Sequence, residues 1–232
     1  YEMLRSLVGS EMCIRDRRDT FRDCSSLKSV SVDDNSSTKV NSKNTIDKKF
    51  IKQQCDKGLL KNIVLPNSLT AIESNAFSGC ISLKSVEIPA NVMRVGAEVF
   101  MNCENLKTVV FKDNTTGASM RKIVGEAMFL NCKSLKTVLL SNDLQKIEEQ
   151  AFLNCTALEQ IEIPENVKEI KDRAFYGCES LKTVVIIAKE PPLLGEGVFP
   201  IEGISFEVPK ESIEKYKNEN CWFQYKGMIQ EA

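Results

Sequence analysis

Histidine is absent from all 232 residues. Without an imidazole, Ser-His-Asp and Cys-His catalysis have no general base, and mixed Cys/His zinc sites lose part of their ligand set. The nine cysteines include no Cys-x-x-Cys pair, so an all-thiolate zinc site has no anchor either. An excess of positive charge is also missing. Lys and Arg number 31 against 32 Asp and Glu, and the net charge of −1 gives no electrostatic case for nucleic acid or an anionic membrane. No apolar run approaches the length that spans a bilayer. No Gly-rich phosphate loop follows a strand pattern, since Gly195-Glu196-Gly197 lies beside Pro191-Pro192 and reads as turn chemistry. Carboxylate pairs such as Glu148-Glu149 read as solvated turn residues. The expectation is a chain without catalytic, cofactor-binding or metal-ligating residues.

What is present is periodicity. Phe, Cys three later and Leu three later recur as Phe21, Cys24, Leu27, then Phe77, Cys80, Leu83, and Phe100, Cys103, Leu106. The triple returns as Phe129, Cys132, Leu135, Phe152, Cys155, Leu158, and Phe175, Cys178, Leu181. From Phe77 onward the Phe-to-Phe steps are 23, 29, 23 and 23. A period near 23 falls in the range of about 20–29 for leucine-rich repeats. The longer step carries a polar insertion near 113–122, and a second insertion near 33–49 precedes a degenerate repeat at Phe50, Cys55, Leu60, Ile63 and Leu65. After each Leu the chain alternates apolar, x, apolar, often closed by proline, as in Val86, Ile88, Pro89 and Ile161, Ile163, Pro164. Alternation of this kind reads as a short strand, and proline suits its end because it donates nothing to a ladder. A further apolar pair follows, Val92 and Val95 or Val167 and Ile170.

The pattern Ala-Phe-x-x-Cys-x-x-Leu-x-x-Ile-x-Ile-Pro-x-x-Val-x-x-Ile resembles the BspA-like, or treponemal-type, leucine-rich repeat. Residues Pro191-Pro192, Phe206-Glu207-Val208-Pro209, Ile213, Tyr216-Lys217 and Trp222 resemble the closing cap of bacteroidal members. The resemblance covers Phe21 to Ala232. It implies an α/β repeat solenoid, a right-handed coil with a parallel sheet on one face, short helical or irregular turns on the other, and a C-terminal β/α cap. The expected division is 18–198 for the repeats and 199–232 for the cap. It also implies a bacterial cell-surface or secreted protein that binds a protein or glycan, of the host matrix or of another microbe, with no nucleic acid, no membrane insertion and a monomeric state. The rival is a passive spacer or accessory arm of a larger protein.

Residues 1–17 stand apart. Glu11-Met12-Cys13-Ile14-Arg15-Asp16-Arg17 back-translates to the end of a transposase sequencing adapter, and the chain opens on Tyr1. The segment is therefore expected to be foreign to the repeat and to pack against nothing.

A single coil cannot bury its own Phe, Cys, Leu and Val, so neighbouring coils must stack. Stacked cysteines would then lie roughly 5 Å apart at Cα, within disulfide range, but with parallel Cβ vectors that favour buried, reduced thiols. All seven ladder cysteines (24, 55, 80, 103, 132, 155 and 178) are expected to be free. Two columns should face outward from the strands: Ser29, Asn62, Ser85, Thr108, Thr137, Gln160, Thr183, and Ser31, Val64, Glu87, Val110, Leu139, Glu162, Val185. Solenoids bind along such faces. The candidate ligand-binding residues are Glu87, Thr108, Val110, Thr137, Leu139, Gln160, Glu162 and Val185. The residue after each repeat Leu forms a row, Lys28, Lys61, Lys84, Lys107, Lys136, Glu159 and Lys182, which reads first as a solubilising edge and second as a docking stripe for an anionic glycan or acidic protein.

Overall fold

A computed structural model describes residues 29–31, 55, 60–65, 67, 69–113 and 122–232, so the segment 1–17 and Cys24 lie outside the described residues. Each repeat gives one strand to a parallel sheet because its alternating residues place Val or Ile inward and polar groups outward. The strands β1 (Ser29–Ser31), β2 (Asn62–Val64), β4 (Ser85–Ile88), β6 (Thr108–Phe111) and β8 (Thr137–Leu139) form one ladder in that order. A second ladder runs β10 (Gln160–Ile163), β12 (Thr183–Ile186), β14 (Ser205–Val208) and β15 (Ile229–Glu231).

The second apolar pair of the repeat also forms strands. These are β3 (Ala71–Ile72) with β5 (Arg94–Val95), and β7 (Lys122–Val124), β9 (Leu144–Ile147), β11 (Glu169–Ile170) and β13 (Leu193–Leu194). Between the two sheets the turns hydrogen-bond from coil to coil. Asn75, Phe77 and Gly79 donate their amides to the carbonyls of Ala97, Val99 and Met101, at 2.9, 2.9 and 2.8 Å. Backbone polarity is thus satisfied on three sides of each coil without helix. Apart from Cys55, helix among the described residues is confined to the C-terminal segment, so of the two kinds of turn expected on the non-sheet side, helical or irregular, the coils use the irregular one.

The core is one continuous stack of rings. Phe77, Phe100, Phe129, Phe152, Phe175 and Phe199 follow each other at centroid distances of 5.0, 5.5, 5.2, 5.0 and 5.1 Å with planes within 15° of parallel. Beyond Phe199 the rings turn edge-on, to Phe206 at 74° and Tyr225 at 82°. This ends the stack under a lid made by a 3-10 turn (Lys210–Ser212), an α-helix (Ile213–Asn218), a 3-10 helix (Asn220–Met228) and β15. Trp222 donates its Nε1 proton to the Pro192 carbonyl at 2.8 Å, and Tyr216 donates its hydroxyl to the Ala188 carbonyl at 2.7 Å, so both buried polar handles are satisfied.

Cys103, Cys132, Cys155 and Cys178 are free and buried. Each thiol donates to the carbonyl of the Phe one coil back: Phe77, Phe100, Phe129 and Phe152, at 3.1 to 3.3 Å. The expectation of an entirely reduced ladder fails at its start, where Cys55 and Cys80 are joined in a disulfide with Cα atoms 4.6 Å apart. The reason lies in the degenerate repeat. Cys55 precedes Leu60 by five residues instead of three and sits in helical backbone rather than in the repeat turn, so the parallel-Cβ argument does not apply to it.

Candidate functional site

The outward columns are brought into register by the strand pairing. Asn62 faces Ser85, Ser85 faces Thr108, and Thr108 faces Thr137; Val64 faces Glu87, Glu87 faces Val110, and Val110 faces Leu139. In the second ladder Gln160 pairs with Thr183 and Glu162 with Val185. The columns continue where the sequence reading stopped, through Ser205 and Glu207 to Gln230. The ladder is interrupted between β8 and β10, so the candidates fall into two groups. Glu87, Thr108, Val110, Thr137 and Leu139 share one sheet, while Gln160, Glu162 and Val185 belong to the other.

The apolar members are unequal. Leu139 is 56% exposed, whereas Val110 and Val185 are half-buried. Glu87 is not a free acid, because Lys112 reaches it at 3.2 Å across one coil. Lys112 is a residue that sequence reasoning missed, since it stands where Pro66, Pro89 and Pro164 close the strands of other coils. Ser85 donates its hydroxyl to Asn62 Oδ1 at 3.0 Å. The lysine row is continuous at the backbone: the amides of Lys84, Lys107 and Lys136 donate to the carbonyls of Lys61, Lys84 and Lys107 at 2.6, 2.8 and 3.0 Å. The side chains of Lys61, Lys84, Lys107, Lys136 and Lys182 are all exposed.

A sequence profile described as "BspA type Leucine rich repeat region" matches the chain in six copies, over residues 45–182 and 122–225. The chain belongs to the BspA-type leucine-rich repeat family. A leucine-rich repeat protein of Bacteroides ovatus is similar to it in structure, with a TM-score of 0.56 and 32% identity over 75% of this chain. That match spans 42% of the Bacteroides protein's length. The T. pallidum leucine-rich repeat protein gives a TM-score of 0.49 at 22% identity over 67% of this chain and 81% of its own. A Faecalibacterium prausnitzii protein described as a leucine rich cell surface protein gives 0.37 at 20% identity, over 92% of this chain and 65% of its own. No curated protein matches.

In this BspA-type chain the perturbed titrations lie away from the sheet face. Burial pushes the thiols of Cys103 and Cys178 up to about 12, and those of Cys132 and Cys155 well above the usual range, so none of the four is a nucleophile at neutral pH. On the second sheet, Lys146 bridges Glu148 at 3.0 Å and Glu169 at 3.1 Å, and Lys171 meets Glu169 at 2.8 Å. The Lys171 and Lys146 ammoniums hold the Glu169 carboxyl below its ordinary value. The Lys146–Glu169 pair joins neighbouring coils, the other two lie within one coil, and all three read as structural. A cavity of about 10 Å³ between Ile88, Val92, Phe111 and Ile123 holds no more than one water. Among the described residues no group of carboxylates and thiols is placed to hold a metal ion, and no helix is long and apolar enough to cross a membrane.

Proposed function

We propose that the chain is a non-catalytic binding module of a bacterial surface or secreted protein and takes a protein or glycan ligand on its sheet face. The observation that carries this is Leu139, a large apolar side chain 56% exposed in the outward column, paired in register with Val110 and flanked by hydroxyl residues. Binding energy concentrates on apolar anchors that become desolvated within a polar rim. Leu139 has that form, while Thr108 and Thr137 supply hydrogen bonds at the fixed spacing of the coils. Membership of a repeat family whose solenoids serve as interaction scaffolds supports the same reading.

The test is binding of the whole chain to panels of host-matrix proteins and glycans. Leu139→Lys weakens a ligand so found by about 2 kcal/mol or more with the fold intact, and Glu148→Lys on the second sheet side is nearly silent. Normal binding by Leu139→Lys contradicts the reading. A wild-type chain that binds nothing on such panels supports the rival, a spacer or accessory arm.

A further inference from the structure

We infer that the three coils carrying β4, β6 and β8 form a site for an extended acidic polysaccharide, which lies across the strands with its carboxylates along Lys84, Lys107 and Lys136. This rests on the sheet-face reading above and names its ligand class.

The first observation is the distribution of unpaired cations. Lys112, Lys133, Lys146, Lys171, Lys189, Lys210 and Lys215 all make ion pairs with glutamates. Lys84, Lys107 and Lys136 are exposed and adjacent and make none among the described residues. Three like charges held side by side without counter-charges repel one another, and an anionic ligand is what relieves that. The patch is bounded on its C-terminal side, where Glu159 replaces the next lysine and the strand ladder is interrupted. The carboxylate nearest Val110, Glu87, is neutralised by Lys112. The acidic column is therefore weakest where the lysine row is strongest.

The second observation is pitch. Register pairing stacks Thr108 on Thr137 and Val110 on Leu139, so each coil step of about 4.8 Å repeats one ammonium, one hydroxyl-bearing residue and one apolar or neutralised position. The hydroxyls of Thr108 and Thr137 have no partner within the described residues, unlike that of Ser85. A linear uronate polymer carries a carboxylate, ring hydroxyls and an apolar C–H face on every pyranose, and a pyranose ring spans about the same length as one coil step; successive rings turn about the chain axis, and the long lysine stems reach the carboxylates that turn away. An extended peptide repeats its side chains on one face only every two residues, about 6.7 Å, and slips against the columns within three coils. Long lysine stems tolerate that slip; the short threonine hydroxyls do not.

Polygalacturonate is the probe, titrated onto the whole chain at about 0.15 M salt, where exposed charges are screened beyond roughly 8 Å. Wild type binds. The triple variant Lys84→Gln/Lys107→Gln/Lys136→Gln loses affinity by roughly tenfold or more, while Lys168→Gln/Lys217→Gln/Lys226→Gln, which removes the same formal charge elsewhere, stays within about twofold. Circular dichroism melts of both variants keep the comparison on folded protein. Absence of polygalacturonate binding overturns the inference, and so does an equal loss in both triple variants. Binding of poly-glutamate with the same dependence on the lysine row assigns the patch to acidic polypeptides and overturns it as well. If neutral dextran binds and is lost in Leu139→Lys but not in the lysine triple, the acidic ligand class is wrong while the sheet-face reading stands.

Discussion

Truncating Phe152 to alanine should split the solenoid where its main sheet is interrupted. Phe152 is fully buried and stacks on Phe129 at 5.2 Å and on Phe175 at 5.0 Å. Deleting a buried Phe costs about 3–5 kcal/mol through lost transfer energy and the cavity left behind. Its place matters as much as its size. Between β8 and β10 the main sheet is interrupted, so the boundary is carried without a main-sheet ladder, by the second sheet, the turn hydrogen bonds, the side-chain bonds of Asn154 and Cys155, and the Phe stack. In a stack held by nearest-neighbour terms, weakening the interface where the main ladder is already missing lets the two blocks unfold separately. The assay uses the single tryptophan, Trp222, which reports only the C-terminal block, against far-ultraviolet circular dichroism, which reports both. A loss of about 4 kcal/mol with a slope of about 2–3 kcal/mol/M lowers a urea midpoint by roughly 1.5 M. In wild type the two signals should coincide, and in Phe152→Ala they should separate, with the Trp222 transition at higher urea. Coincident transitions in the variant, or a loss below about 2 kcal/mol, would refute the reasoning.

Other consequences are smaller and equally definite. Arg173 is exposed at φ 53°, so Arg173→Gly should raise thermal stability by about 0.5–1 kcal/mol, and Arg173→Val should lower it, because a β-branched side chain suits that backbone least. Peptide mapping after alkylation without reductant should show Cys103, Cys132, Cys155 and Cys178 unlabelled in the folded chain and labelled in denaturant, with Cys55 and Cys80 recovered as one linked pair. The Glu169 carboxyl has a lowered folded-state pKa, so its pairs with Lys146 and Lys171 stabilise above the unfolded carboxylate pKa and are lost as pH falls through the folded value. Glu169→Gln should flatten the acid side of a stability–pH curve. The side chains are about one-third exposed, which keeps the effect below about 1 kcal/mol.

The parts of the fold legible in the sequence were those in which one residue type does one job in every coil. Phe77 to Phe175 give the ring stack, and the alternation after each Leu gives the sheet and the register that sets Val110 beside Leu139. Features set by backbone conformation were less visible. The residue before the repeat cysteine is Gly79, Asn102, Asn131, Asn154 or Gly177, all at positive φ between 59° and 73°. Asn131 and Asn154 donate their side-chain amides to the preceding Asn Oδ1 at 2.9 and 3.0 Å, an amide ladder whose signal was the run of three Asn, with Gly at either end, before Cys. Phe199 was missed as the last rung because proline follows it and no cysteine comes three later. The second sheet escaped because its strands are two to four residues long and show no clear alternation. Within the candidate site, the columns were readable from spacing, but the ladder interruption and the Glu87–Lys112 pair depend on contacts between coils that no local pattern encodes.

Docking on the sheet face is tested most directly by hydroxyl-radical footprinting with and without a bound partner, because the molecule carries its own control. Leu139 on the sheet face and Tyr176 on a turn are 56% and 57% exposed. A saturating partner should lower oxidation of Leu139 several-fold and leave Tyr176 unchanged. Protection of Tyr176, or of Phe223 in the C-terminal segment, with Leu139 still fully labelled would contradict it.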